Sequence, residues 1–302
     1  MRYLRKAATV LCGLVFLASA VAKLLSIQSF ELYVFSLGLA SFDLTSIAAR
    51  LLILLEGLTG LWFLSGWQLK WARWIAWAQL LAFSAFLGWR MAVGDSGSCH
   101  CFGDLVDLNP LQSLVKNAAL ALLVGASARE LYKTPLQPFY LAVLAGASAV
   151  ALFVFSPPDW YYRHTQQEVQ YILPEKWEAL MQEHPVEGET VVCFMSTRCE
   201  YCRDCARKLQ TMLSRHGAAP EQVQFFFLQV SDTTAAEVPA FFQQNMDAHA
   251  YPFQVLDPLT FLPVTGGAMP VMSLSRDGAM VKEYDYQTLD EQELAHFLLP
   301  RN

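Results

Sequence analysis

Five apolar stretches crowd the first half of this 302-residue chain and constrain its fold more than any other feature. They cover residues 7–25, roughly 47–66, 71–93, 111–128 and 139–155. Each is close to the about 20 residues a helix needs to cross a bilayer core. Inside hydrocarbon every backbone N–H and C=O must be satisfied within the segment, so helices are expected. The chain is 54% hydrophobic, too apolar for an ordinary water-soluble protein. Ala18-Ser19-Ala20 mimics the cleavage site of a secretory signal, but the first stretch is long for a signal core and stays apolar past that point. A retained spanning helix is expected.

Charge placement sets the expected topology. Arg2, Arg5, Lys6, Lys70, Arg73, Arg129 and Lys133 fall at one set of helix ends, and Asp43, Asp95, Asp104 and Asp107 at the other. The basic ends belong in the cytoplasm. Five crossings then carry the second half of the chain to the outside, the compartment in which disulfides form and persist. The formal net charge of −6 and the lack of a basic run argue against nucleic-acid binding.

In the second half, Thr190 begins the run TVVCFMSTRCEYCRDCARKL. A β-branched apolar segment gives way to Ser196-Thr197-Arg198, and Cys199 and Cys202 follow where a helix begins. A buried strand feeding a C-x-x-C at a helix start reads as a thioredoxin-like redox site. Free N–H groups and the helix dipole favour a thiolate on Cys199, the expected attacking thiol. Cys202, one turn later, is the expected resolving thiol. Glu200 beside Cys199 opposes its ionisation, which points toward a reductase or isomerase partner rather than a strong oxidant. Cys205 extends the run to C-x-x-C-x-x-C, but the fourth cysteine and proline of an iron–sulfur run do not follow. Cys205 reads as structural or a spare thiol, and Cys193 as a small buried apolar residue.

Around this motif the pattern reads as mixed α/β. Helices are expected over residues 175–183, 238–246 and 289–299, and strands over 223–230, 253–256, 271–274 and 280–284. The order, with Gly266-Gly267-Ala268-Met269-Pro270 before the fourth strand, resembles the thioredoxin fold. That resemblance implies a cis Pro270 facing the dithiol. The expected architecture is therefore multidomain: an α-helical membrane bundle over residues 1–158, a tether over 159–170 and an α/β thioredoxin-like domain over 171–302.

The loop after the third stretch carries a second pair, Cys99 and Cys101, in CHCFG. A C-x-C disulfide closes a small strained ring and is readily reduced. The sequence ASAVAKLL in the first helix, LLEGLTGLW in the second and the C-x-C-F-G motif together resemble the DoxX-like superfamily, and within it the methylamine-utilisation MauE branch, over about the first 130 residues. The resemblance implies a four-helix membrane protein that handles thiols and disulfides. The family takes its name from maturation of a disulfide-rich methylamine dehydrogenase subunit. This chain departs from it by a fifth helix and its own thioredoxin-like domain, as in fusions of Bacteroidetes-type bacteria, so methylamine metabolism is not implied for its client.

Glu56 lies inside the second apolar stretch, where an ionisable residue is a functional candidate by default. Lys23 is its expected partner, and Arg50, Arg90 and Lys116 lie near the outer helix ends. Such a cluster suits a C-x-C thiolate or a quinone head, and Glu56, Lys23, Arg50 and Arg90 are the candidate cofactor-binding residues. Snorkelling to lipid phosphate is the bland alternative. Trp62, Trp67, Trp71, Trp74 and Trp77 read chiefly as an interfacial belt.

The expectation is a membrane-anchored thiol–disulfide oxidoreductase of a bacterial inner membrane, its thioredoxin-like domain on the periplasmic side. Cys199 and Cys202 would exchange with exported protein thiols and with Cys99/Cys101, and the bundle would pass electrons to a quinone or a membrane redox partner. The rival is a copper-binding or delivery protein using the same cysteines as soft ligands.

Overall fold

The computed structural model describes residues 2–93, 108–128, 137–165, 170–247 and 249–298. They form two compact units, one of residues 1–34 and 44–157, the other of residues 35–43 and 158–302.

The first unit is helical. α1 (Arg2–Leu25), α2 (Ile27–Ser36), α3 (Phe42–Ser65), α4 (Leu69–Ala92), α5 (Pro110–Ala126) and α6 (Gln137–Phe155) follow in order. All five expected helices are present, with α2 as an addition. Three helices (Tyr3–Leu25, Phe42–Ser65 and Pro138–Phe155) are long and apolar enough to cross a membrane. α4 has the length, but Lys70, Arg73, Gln79 and Arg90 lower its apolarity, and α5 is shorter. The chain is a membrane protein; by length and composition the described residues supply three spans where five were expected. Trp71, Trp74 and Trp77 are exposed along α4, and Trp62 and Trp67 are half-buried.

α1 and α3 run antiparallel and touch through glycine. A Cβ placed on Gly60 would lie 2.8 Å from the Gly13 carbonyl oxygen and 2.9 Å from the Leu17 nitrogen. Small residues at such a crossing let backbones approach, which supplies packing where no hydrophobic force acts between helices. Farther along α3, Arg50 is buried and fully engaged. It pairs with Glu31, donates to the Ser46 carbonyl and hydroxyl at 3.0 and 2.6 Å, and donates 2.8 Å bonds to the carbonyls of Ser156 and Pro157. These contacts satisfy carbonyls at the end of α6 that the helix leaves open.

The second unit begins its main run with α7 (Asp159–Thr165) and α8 (Pro174–Glu183). It continues through β1 (Glu189–Met195), α9 (Glu200–His216), β2 (Val223–Leu228), α10 (Thr234–Asn245) and β3 (Phe253–Leu256). α11 (Pro258–Thr265), β4 (Val271–Arg276), β5 (Ala279–Tyr284) and α12 (Glu291–Leu298) complete it. The sheet order is β3-β2-β1-β4-β5, with β1, β2 and β3 parallel and β4 and β5 antiparallel to their inner neighbours. This is a thioredoxin-like arrangement. β1 sits at the centre and is buried on both faces from Thr190 onward, which explains its unbroken apolar run. One face packs Val192, Phe194 and Phe226 against Trp177 of α8 and Phe261 of α11. On the other, Phe225 meets Phe242 at 5.1 Å and Phe227 meets Phe241 at 5.3 Å between ring centroids.

The tether expected over residues 159–170 begins as helix α7. Its Asp159 is buried and takes a 2.8 Å bond from the ammonium of Lys208 on α9. Lys208 is fully buried; it also donates to the Tyr286 carbonyl at 2.7 Å and lies 4.1 Å from the Phe42 ring centroid. Arg215 packs over the Phe35 ring at 4.1 Å and pairs with Glu291 at 3.1 Å, and Arg163 bridges Asp43 and Asp290. Residues 35–43 are thus part of this unit's packing, although the sequence placed them in the membrane bundle.

Candidate functional site

β1 ends at Met195 and the chain turns through Ser196-Thr197-Arg198 to put Cys199 at the N-cap of α9. The turn is held from outside. The Thr197 hydroxyl and the Arg198 guanidinium donate to the Glu237 carboxylate of α10 at 2.9 and 3.1 Å, and Arg198 also donates to the Ser231 hydroxyl at 3.2 Å. Those donors hold the Glu237 carboxyl below the usual range. The clamp joins residues about forty positions apart, so sequence reading missed it.

The Cys199 sulfur accepts the Cys202 backbone N–H at 3.2 Å, taking the place of a capping oxygen. Its thiol is pushed down to about 6, foremost by a hydrogen bond from the Cys202 thiol, with the N–H groups of Cys202 and Tyr201 and the charge of Arg203 assisting against partial burial. Glu200, expected to oppose ionisation, is not among the groups that set this value. Cys202 is buried and moves upward, through its bond to Cys199 and through burial, although the Ser196 N–H donates to its sulfur at 3.5 Å. The two cysteines therefore divide into a half-exposed nucleophile and a buried, protonated partner.

Cys205, one turn on, is fully buried, sits 3.6 Å from the Met272 sulfur and is pushed up to about 12 by burial. Cys193 is raised for the same reason. Neither is poised to attack. The Met269–Pro270 peptide is cis. Phe194 on β1 pairs with Val271 on β4, so Pro270 immediately precedes that register pair, beside the end of β1.

In the first unit, Lys23 and Glu56 form an ion pair at 2.7 Å, with Ser19 bonded to both. Arg50 is committed to the backbone and Glu31 contacts described above. Arg90 is buried and donates to the Tyr33 hydroxyl at 2.9 Å. Of the four candidate cofactor residues, Lys23 and Glu56 come together beside a cavity, and Arg50 and Arg90 do not line it. Cys99 and Cys101 lie outside the described residues, as does the rest of residues 94–107. Among the described residues, no three His, Cys, Asp or Glu side chains converge as metal ligands would.

Residues 1–129 match the family of methylamine utilisation protein MauE. Protein TlpB of Flavobacterium psychrophilum is 22% identical over 94% of this chain and 91% of its own length. The match spans both the MauE-matching region and the thioredoxin-like unit. A secreted Mycobacterium tuberculosis disulfide oxidoreductase, described as homologous to E. coli DsbE, is similar over 37% of this chain and 82% of its own, at 14% identity and a TM-score of 0.27. A MauE-matching membrane region joined to a thioredoxin-like unit with a low-pKa cysteine supports a membrane thiol–disulfide redox role.

Proposed function

We propose that the chain is a membrane-anchored thiol–disulfide oxidoreductase acting on exported proteins at the outer face of a bacterial cytoplasmic membrane. The observation that carries this reading is the asymmetry of the pair: Cys199 capped and pushed down to about 6, Cys202 buried and pushed up. The Cys199 thiolate attacks a client disulfide, forms a mixed disulfide and releases one client thiolate. Cys202 then loses its proton and attacks the Cys199 sulfur, closing the Cys199–Cys202 disulfide and releasing the second client thiolate. Two electrons pass to the client, and the reverse sequence oxidises a client dithiol.

The largest cause raising Cys202 is its bond to the Cys199 sulfur. Once Cys199 is tied up in a mixed disulfide that sulfur no longer carries charge, and the resolving thiol becomes easier to ionise. Activation of the second thiol thus follows capture of the client. In the full relay, Cys199/Cys202 exchange electrons with Cys99/Cys101, which places both pairs outside the cytoplasm. The positive-inside pattern supports that orientation.

The test is trapping. Cys202→Ser protein, expressed in its native membrane and quenched with acid, accumulates mixed disulfides through Cys199. Peptide mapping of a cross-link from Cys199 to Cys99 or Cys101 supports the relay. Client cross-links alone would restrict the chain to direct exchange, and no cross-link of either kind would overturn the redox reading.

A further inference from the structure

The membrane unit holds a cavity of about 440 Å³ between α1, α3, α4 and α5. Its size lies within the range of small-molecule sites, which are mostly apolar with a few convergent polar groups. Leu52, Leu55, Ala78 and Ala82 contribute to its lining and are themselves exposed, so its mouth lies on an apolar helix surface. α3, which carries two of them, is long and apolar enough to cross a membrane, so a ligand reaching this mouth arrives from the bilayer.

Deeper in, the cavity is lined by the Lys23–Glu56–Ser19 cluster. An ammonium has three donors. Those of Lys23 serve Ser19 at 2.8 Å and Glu56 at 2.7 Å, which leaves one for a further acceptor. On Glu56, Oε2 takes the bonds from both Lys23 and Ser19, which leaves Oε1 to accept from a ligand hydroxyl. Two amides contribute from the helices opposite. Gln79 spends one N–H on the Thr59 hydroxyl at 2.7 Å and Asn117 spends one on the Ser84 hydroxyl at 3.1 Å, and each amide has a second. The rings of Phe16, Phe83 and Phe86 and the side chain of Lys116 also line it.

We infer that this cavity binds the head of a lipid-soluble quinone. A quinone dissolves in the bilayer, presents an acceptor at each end of a flat ring and becomes a hydroxyl donor when reduced. Lys23 and the amides supply donors to the carbonyls, Glu56 accepts from the quinol, and the phenylalanines bracket the ring. A fatty acid offers one polar end, and a phospholipid head stays at the interface. The inference deepens the redox reading, on which it rests for its purpose. A dithiol giving up two electrons and two protons becomes a disulfide, and a quinone taking both becomes a quinol, so the couple balances without another reactant.

The test uses the purified full chain, stripped of lipid and titrated with decylubiquinone, with ligand retention measured after gel filtration. Decanoate is the competitor that carries only a chain and an acid. The wild-type chain retains quinone and decanoate does not displace it. Ala82→Trp, which fills the lipid-facing mouth, and Gln79→Leu, which removes a donor, each lower affinity about tenfold. Unchanged thermal melting of both variants excludes misfolding as the cause. Absence of saturable retention, indifference to both substitutions, or displacement by decanoate overturns the inference. Disulfide reduction by the same preparation separates the two readings: retained reduction without quinone binding sinks only this one.

Discussion

Each unit buries a lysine–carboxylate pair, and the two are built to different ends. Lys208 and Asp159 meet at 2.8 Å with side-chain exposures of 0% and 6%, under the Phe42 and Tyr286 rings. Lys23 and Glu56 meet at 2.7 Å, yet the Glu56 side chain keeps 23% of its surface and borders a cavity. The first pair is closed on every side and ties α7 and residues 35–43 to the helix that carries the dithiol. The second leaves bonding capacity unspent. The same chemistry serves as a fastener in one place and as a reception point in the other.

The comparison breaks if the two pairs respond alike to removal of one partner. Lys208→Met strands a buried carboxylate, which costs about 3–5 kcal/mol. It should lower the melting temperature of the purified chain sharply, and Asp159→Leu in the same background should recover much of the loss. Lys23→Met should cost less, because Glu56 keeps the bond from the Ser19 hydroxyl at 2.9 Å and borders a cavity rather than close-packed rings. Gly60→Leu comes next. Its side chain has no room at the Gly13 contact, and overpacking of this kind costs about 1–3 kcal/mol, read as earlier thermal unfolding of the membrane helices.

A third prediction sharpens the contrast between the cysteines. Alkylation of Cys199 should rise with pH around a midpoint of about 6, and Cys202→Ala should move that midpoint upward by removing its largest cause. With a folded value below the free thiol's about 8.5, Cys199 stabilises the fold above that pH and loses the contribution as pH falls through about 6. The smallest effect belongs to Asn109, whose side chain caps α5 in a reciprocal box with Gln112. Asn109→Ala should cost about 1 kcal/mol, visible as a small drop in melting temperature.

Local chemistry was readable in the sequence because periodicity and spacing report on neighbours along the chain. The β1–Cys199–α9 unit, β3 at residues 253–256 and the long apolar helices fall in this class. α11 was missed because Pro258, Pro263 and Gly266 read as loop punctuation, although the Asp257 cap shows the prolines sit inside a short helix. α2 was missed because ten residues are too few for a span and lack a polar face. The partners of Lys208 come from positions 42, 159 and 286, and no local pattern reveals such a convergence. The Lys23–Glu56 pairing was foreseeable from two charges within apolar runs, but its Ser19 bridge and the Gln79 and Asn117 amides were not.

The meeting of Gly13 and Gly60 has a mechanical consequence. Where two backbones touch, the helices cannot slide past one another without collision, so the contact behaves as a pivot. Glu56 is one turn from it and Ser19 less than two, so a rocking of α1 against α3 displaces them little, while points farther along each helix swing through wider arcs.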